Sequence, residues 1–299
     1  MTPGTHPYLL EVDGGALPAL VAGDPVVSGP SRTVLAVHGI TASSMSWPAV
    51  ASALPEDWSL VAPDLRGRGA ARDLPGPTGL GRHAADVCAA AEQLDPEGTG
   101  GLVLAGHSMG AYVALLAAHS RPDLFARLVL VDGGVPLTLP EGADPDDVLA
   151  ATLGPALERL RVTYADVADY VAFFQQHPAL GPHWNHAVEA YVRYDALVGP
   201  DGVRSRAVEE AVRTDGRDLL VRHDELDIAL RELTVPAHLL CAPLGMLGQA
   251  PGLLPAAAVQ EYADQVDLLT TETVPDVNHY TIMFEPGAAE RIARAMAGG

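Results

Sequence analysis

Lysine is absent from this sequence: all 18 basic residues among the 299 are arginine. That removes a Schiff-base lysine, a lysine-held pyridoxal phosphate and a phosphate-loop lysine in one stroke. Cysteine is nearly absent. Cys88 and Cys241 sit in separate apolar segments, with no metal-ligand spacing and no neighbouring histidine. They read as buried free thiols in a reducing compartment. No run of eighteen apolar residues occurs, so no transmembrane helix is expected. The opening residues, "MTPGTHPYLLEVDGG", lack a basic stretch followed by an apolar one and do not read as a signal peptide. Positive charge is scarce, with 18 basic residues against 38 acidic ones and a net charge of −20. Nucleic acid and anionic membrane both call for a basic face, and neither is expected as a partner.

What is present alternates. "YLLEV" (8–12) and "LPALVAG" (17–23), parted by Gly14-Gly15, predict an opening hairpin. "TVLAVHG" (33–39), "WSLVAPD" (58–64), "GLVLAG" (101–106) and "ARLVLVDGG" (126–134) predict buried strands, with helices over 47–54, 80–94 and 108–120 between them. Such alternation implies a parallel sheet covered on both faces. Over 135–232 the strand pattern lapses. Prolines and glycines interrupt short helical pieces there, and aromatic residues gather (Tyr164, Tyr170, Phe173, Phe174, Trp184, Tyr191, Tyr194). The pattern returns with "VPAHLLCA" (235–242), a helix near 255–264, "QVDLLTTETV" (265–274) and a last helix over 287–297. A helical insertion, 135–232, thus splits one α/β core made of 1–134 and 233–299.

"GHSMG" (106–110) follows the apolar "LVLA" and precedes the helical "AYVALLAAHS". Strand, Gly-x-Ser-x-Gly turn, helix is the setting of a nucleophile elbow, in which two glycines let the backbone close around an exposed serine. The bland alternative is that Ser108 caps the helix. A serine needs a base at neutral pH. His279, in "PDVNHYTIM", follows the last predicted strand, where a doubly wound sheet delivers functional side chains. Backbone donors for an oxyanion are expected from Met109, next after the serine, and from Ile40 in the turn "HGITASSMSW" (38–47), with Thr41 as a further side-chain donor.

Together these residues resemble the α/β-hydrolase superfamily, on His38-Gly39, "APDLRGRG" (62–69), "GHSMG", "LVLVDGG" (128–134) and "NHY" (278–280). The resemblance covers about 33–134 and 235–297. It implies the α/β-hydrolase fold, a mostly parallel, eight-stranded, doubly wound sheet whose insertion is a helical cap or lid. The family most often carries its carboxylate after the penultimate core strand, but "CAPLGMLGQAPGLLP" (241–255) holds no Asp or Glu. The minority position, after the preceding strand, holds Asp132, which could also be a mere strand-end cap. Asp276 competes, three residues before His279. Asp224 and Asp227 read as a solvated helix face. His177, His183 and His186 could suggest a metal, but read more simply as cap histidines packed near the pocket. Arg66 and Arg68 read as structural ties between a loop and the sheet edge.

The implied activity is a cytoplasmic serine esterase or lactonase working without a cofactor or metal on a small-molecule ester or lactone. Ser108 would be the nucleophile, His279 the base and Asp132 the acid, with Met109 and Ile40 as the oxyanion hole. Phe173, Phe174, Trp184 and Tyr191 are expected to contact substrate. Carbon–carbon bond hydrolases, thioesterases and acyltransferases share this constellation. A non-catalytic ligand receptor keeps the same fold. A serine at the elbow departs from the usual epoxide hydrolases and haloalkane dehalogenases, which resemble this chain but carry Asp there.

Overall fold

The computed structural model describes residues 8–139 and 142–298. The opening stretch read as no signal peptide, residues 1–15, lies outside that range for its first seven residues. The chain opens with strands β1 (Tyr8–Val12) and β2 (Gly15–Ala22), a short helix α1 (Pro25–Ser28), β3 (Thr33–Val37), α2 (Pro48–Ala53) and β4 (Ser59–Pro63). Next come α3 (Leu80–Leu94), β5 (Leu102–His107), α4 (Met109–Ser120) and β6 (Phe125–Val131). There the chain leaves the sheet for α5 (Pro145–Arg161), α6 (Val167–Gln175), α7 (His186–Asp195), the strand pair β7 (Ala196–Gly199) and β8 (Gly202–Ser205), α8 (Glu209–Val221) and α9 (His223–Arg231). It returns through β9 (Ala237–Cys241), α10 (Ala256–Gln265), β10 (Leu269–Thr273) and α11 (Pro286–Ala297).

Eight strands form one sheet in the order β1-β2-β4-β3-β5-β6-β9-β10. β2 runs antiparallel to both β1 and β4, and the other neighbours are parallel. The central strands read as unbroken apolar runs because both faces are buried. Leu35 and Val37 join one core cluster while Val34 and Ala36 join the other. β5 divides in the same way, Leu102 and Leu104 to one face, Val103 and Ala105 to the other. The long excursion feeds both cores. Leu149, Leu157 and Val212 join the first, and Tyr170, Val188 and Val192 the second.

Two expectations fail inside the excursion. It contains strands after all, since β7 and β8 pair antiparallel and Tyr164 bridges to Val203 beside them. Each strand has only four residues, too few to show a two-residue period, although Pro200-Asp201-Gly202 is a turn sequence. The helical pieces are also less broken than glycines and prolines suggested. α5 runs 17 residues straight through Gly154 and Pro155, capped by the Asp144 side chain. Among the described residues, no helix is long and apolar enough to cross a membrane. Both cysteines are buried and unpaired, and burial pushes their thiols up, Cys88 to about 11 and Cys241 to about 12. Neither is a nucleophile at neutral pH.

Candidate active site

β5 ends at His107 and α4 begins at Met109, leaving Ser108 on the turn with φ 53° and ψ −124°. A side chain rarely adopts that backbone, and such strain marks functional turns. The flanking glycines make it possible. A Cβ on Gly106 would collide with the Gly110 carbonyl, and one on Gly110 with the Val37 carbonyl. Ser108 N–H donates to Val131 O at 2.9 Å, which locks the turn to β6. The serine side chain makes no capping bond to α4. Its Oγ instead lies 3.0 Å from His279 Nε2.

His279 is placed by the turn after β10. Its backbone N–H donates to Leu244 O at 3.0 Å, and its carbonyl accepts from His107 Nε2 at 2.9 Å. Asn278 closes the turn by accepting both the Tyr280 and Thr281 N–H groups at 3.0 Å. His279 Nδ1 lies 2.6 Å from Asp132 Oδ2. Because a carboxylate only accepts, Nδ1 carries the proton, and Nε2 is left to accept from the Ser108 hydroxyl. Asp132 is fully buried at the end of β6, with its second oxygen accepting the Ala242 N–H at 2.9 Å. Asp276 stands on an exposed turn with φ 61°. Asp227 accepts from Arg231 and Tyr262, and Asp224 is exposed on the same helix.

Two further histidines support the site. His107 is buried, and desolvation together with the nearby His279 holds it down at about 3, so it stays neutral. Burial likewise pushes His38 down to about 4. His38 Nε2 accepts from Leu65 N–H at 3.0 Å and its Nδ1 donates to Gly39 O at 2.8 Å, which fixes the tautomer. Gly39 presses on the serine, and a Cβ there would stand 3.2 Å from Ser108 Cβ. The N–H groups of Ile40 and Met109 donate to no acceptor among the described residues, and both residues line the cavity over Ser108.

That cavity has a volume of about 380 Å³. Its walls are largely aliphatic: Leu149 and Leu153 of α5, Leu219 of α8, and Met246 and Leu253 of the loop after β9. Among the described residues, no Arg, Asp or Glu lines it. Tyr191 does line it, against Phe284. Phe173, Phe174 and Trp184 do not, contrary to expectation. Phe174 is buried against Tyr170 beneath the Arg159 guanidinium, Phe173 packs edge-on to Tyr164 and is 40% exposed, and Trp184 packs on the second core. Most of the aromatic cluster packs into the second core, which the excursion shares with the sheet. The wall residues the cluster obscured, Leu149, Thr152, Leu153 and Ala156, were visible as an i, i+3, i+4, i+7 stripe.

The remaining candidates are dispersed. His177 packs edge-on to Tyr280, His183 lies 3.6 Å from Glu285, and His186 begins α7. Among the described residues, no group of three His, Cys, Asp or Glu side chains could hold a metal ion. Arg66 ties the β4 loop to Asp86, Pro75 O and Asp13 O near the sheet edge. Arg68 reaches instead to Ile40 O and to Asp215 on α8.

The model of the alpha/beta hydrolase family matches residues 34–295. Lipase LipV of Mycobacterium tuberculosis is 35% identical over 204 residues, 62% of this chain and 76% of that protein. The 2-(acetamidomethylene)succinate hydrolase of Mesorhizobium japonicum is 27% identical over 87% of this chain and 84% of its own. A crystal structure of E-2-(acetamidomethylene)succinate hydrolase superposes with a TM-score of 0.77 at 23% identity, covering 98% of this chain and 100% of that one. At that identity the likeness speaks for the fold.

Proposed function

The chain belongs to the alpha/beta hydrolase family, and from that premise we propose that it is a serine hydrolase cleaving an uncharged carboxylic ester or lactone through an acyl-enzyme. The observation that carries this reading is the unbroken line Ser108 Oγ, His279 Nε2, His279 Nδ1, Asp132 Oδ2, opening onto a cavity that no Arg, Asp or Glu lines among the described residues. Ser108 attacks the carbonyl carbon as its proton passes to His279 Nε2. Asp132 holds the imidazole in the tautomer that can accept it and stabilises the imidazolium that results. The tetrahedral oxyanion is received by the Met109 and Ile40 N–H groups, aided by the start of α4. His279 returns the proton to the leaving alcohol. Water then repeats the sequence on the acyl-enzyme and frees the acid.

Residues 135–232 act as the cap in this reading, with α5 and α8 forming the wall that selects substrate. The relation to a lipase favours an ester. The relative acting on a succinate handles a diacid by its name, and among the described residues no arginine lines the cavity to pair with one, which disfavours that class. The two buried free thiols support work in the cytoplasm.

A fluorophosphonate tests the reading directly. One adduct should form, at Ser108, and turnover of p-nitrophenyl esters should vanish with it. Full activity in Ser108→Ala would overturn it.

A further inference from the structure

We propose that Arg68 is a positioning residue for the oxyanion site, and that Asp215 on the inserted helix α8 sets its hold. The proposal rests on the reading above, in which the Ile40 N–H receives the oxyanion.

In a trans peptide the N–H and C=O point in opposite directions. The bonds made by Gly39 O therefore aim the Ile40 N–H of the same peptide, and a bond to Ile40 O fixes the peptide that follows, so that the Ile40 backbone is held from both sides. Gly39 O accepts from His38 Nδ1 at 2.8 Å and from Ala42 N at 3.1 Å. Ile40 O accepts from Arg68 Nε at 2.9 Å. Both grips come from one stretch after β4, since Leu65 N–H holds His38 and Arg68 follows three residues later.

The inserted elements grip the same stretch from its other side. Arg68 is fully buried and ion-paired with Asp215, itself fully buried and accepting from Gly79 N–H at 2.6 Å. His83 Nε2 lies 3.0 Å from the same carboxylate. Val208 N–H donates to Gly67 O at 2.8 Å. Tyr194 donates to Asp64 at 2.5 Å, and Asp64 in turn holds the Ser44 N–H of the oxyanion turn at 2.8 Å. A buried guanidinium is strongly tied to its carboxylate partner, so a shift of α8 carries Arg68 with it. The seating of α8 is thereby coupled to the aim of the Ile40 peptide.

The double variant Arg68→Met with Asp215→Asn removes both buried charges together, avoiding an orphan ion, and leaves an acceptor for Gly79 N–H. We expect kcat to fall about 10- to 100-fold, below the full loss of an oxyanion donor, with KM changed less than threefold. Affinity for a trifluoromethyl ketone, which binds as an oxyanion on Ser108, should fall by the same factor as kcat. The matching methyl ketone, which binds without forming one, should keep its Ki. A role confined to folding would lower the unfolding temperature and leave the ratio of the two ketone affinities unchanged. That result, or kcat within threefold of the parent, overturns the proposal. If the double variant does not fold, Asp215→Asn alone decides on the same ratio, with a three- to tenfold drop expected. A parent protein that neither hydrolyses esters nor binds the fluoroketone would instead sink the hydrolase reading, and this proposal with it.

Discussion

Ala242, at the end of β9, donates its N–H to Asp132 Oδ1 at 2.9 Å, while Asp132 Oδ2 faces His279 Nδ1 at 2.6 Å. Each carboxylate oxygen therefore has its own task, one holding the neighbouring strand and one holding the imidazole. An amide cannot do both. Turned one way it sets an NH2 against the Ala242 N–H, and turned the other way it faces the imidazole with a donor.

Asp132→Asn should lower kcat by at least about two orders of magnitude, since such a swap can cost about 10⁴ through the wrong tautomer. Asp276→Asn, on an exposed turn, should stay within about twofold. Both would be assayed on one ester with thermal unfolding alongside. A crippled but well-folded Asp276→Asn would reassign the acid.

The elbow glycines give a second prediction. A methyl on Gly106 or Gly110 meets backbone carbonyls that cannot swing aside. Gly106→Ala and Gly110→Ala should each cost about 1–3 kcal/mol or more, and both should misdirect Ser108. Gly154, inside α5 with nothing within 4 Å of an added Cβ, is the control. There Ala should be neutral or stabilising, because glycine costs a helix about 1 kcal/mol. Urea unfolding of the three variants would measure the contrast.

How much of this was readable beforehand follows from which forces are local. The sheet was legible because each central strand is an apolar run buried on both faces, such as Thr33–Val37 and Leu102–His107. The elbow was legible because its two glycines are required by backbone clashes within five residues and one neighbouring strand. Weighing Asp132 against Asp276 needed three dimensions, since the Asn278 turn decides which way the chain faces before His279. Of the four aromatic residues expected at the cavity wall, Tyr191 alone lines it. Aromatic side chains signal burial, and Phe174 is buried against Tyr170 and Arg159, away from the cavity over Ser108. The grip of Arg68 on Ile40 joins residues 28 apart, and its partner Asp215 lies far along the chain. No spacing rule connects them.

Acid should destabilise the protein through its buried histidines. His38 and His107 are held near 4 and 3 by burial, while in the unfolded chain they titrate near 6.5. Their neutral forms contribute stability that is complete above about pH 6.5 and lost as pH falls towards 4, because the unfolded chain takes up protons the native state refuses. Each can contribute a slope of about 1.4 kcal/mol per pH unit in that window. His107→Gln keeps a donor for His279 O and removes one of the two protons. Its stability should decline less steeply between pH 6 and 4.5, and an unchanged slope would count against a buried, neutral His107.

Gly216 lies in the interior of α8, where glycine is unfavourable, yet it lines the cavity. A Cβ placed there would stand 2.5 Å from Leu149 Cδ1 and 3.4 Å from Ile40 Cδ1 and Leu153 Cδ1. Only the first contact is too close, and it is the free end of a leucine that can rotate. Gly216→Ala should therefore fold at least as well as the parent, with Leu149 displaced into the cavity. The substrate profile would report the change. In the parent, each added acyl methylene that finds wall should raise kcat/KM by about fourfold, from about 0.8 kcal/mol per buried CH₂. In the variant that rise should stop at a shorter chain, while acetate and propionate esters react as before. A straight-chain p-nitrophenyl ester series would read the break point directly. If the variant's profile overlaid the parent's to its longest member, the space beside Gly216 would not hold the acyl chain, and the substrate would lie elsewhere along the cavity.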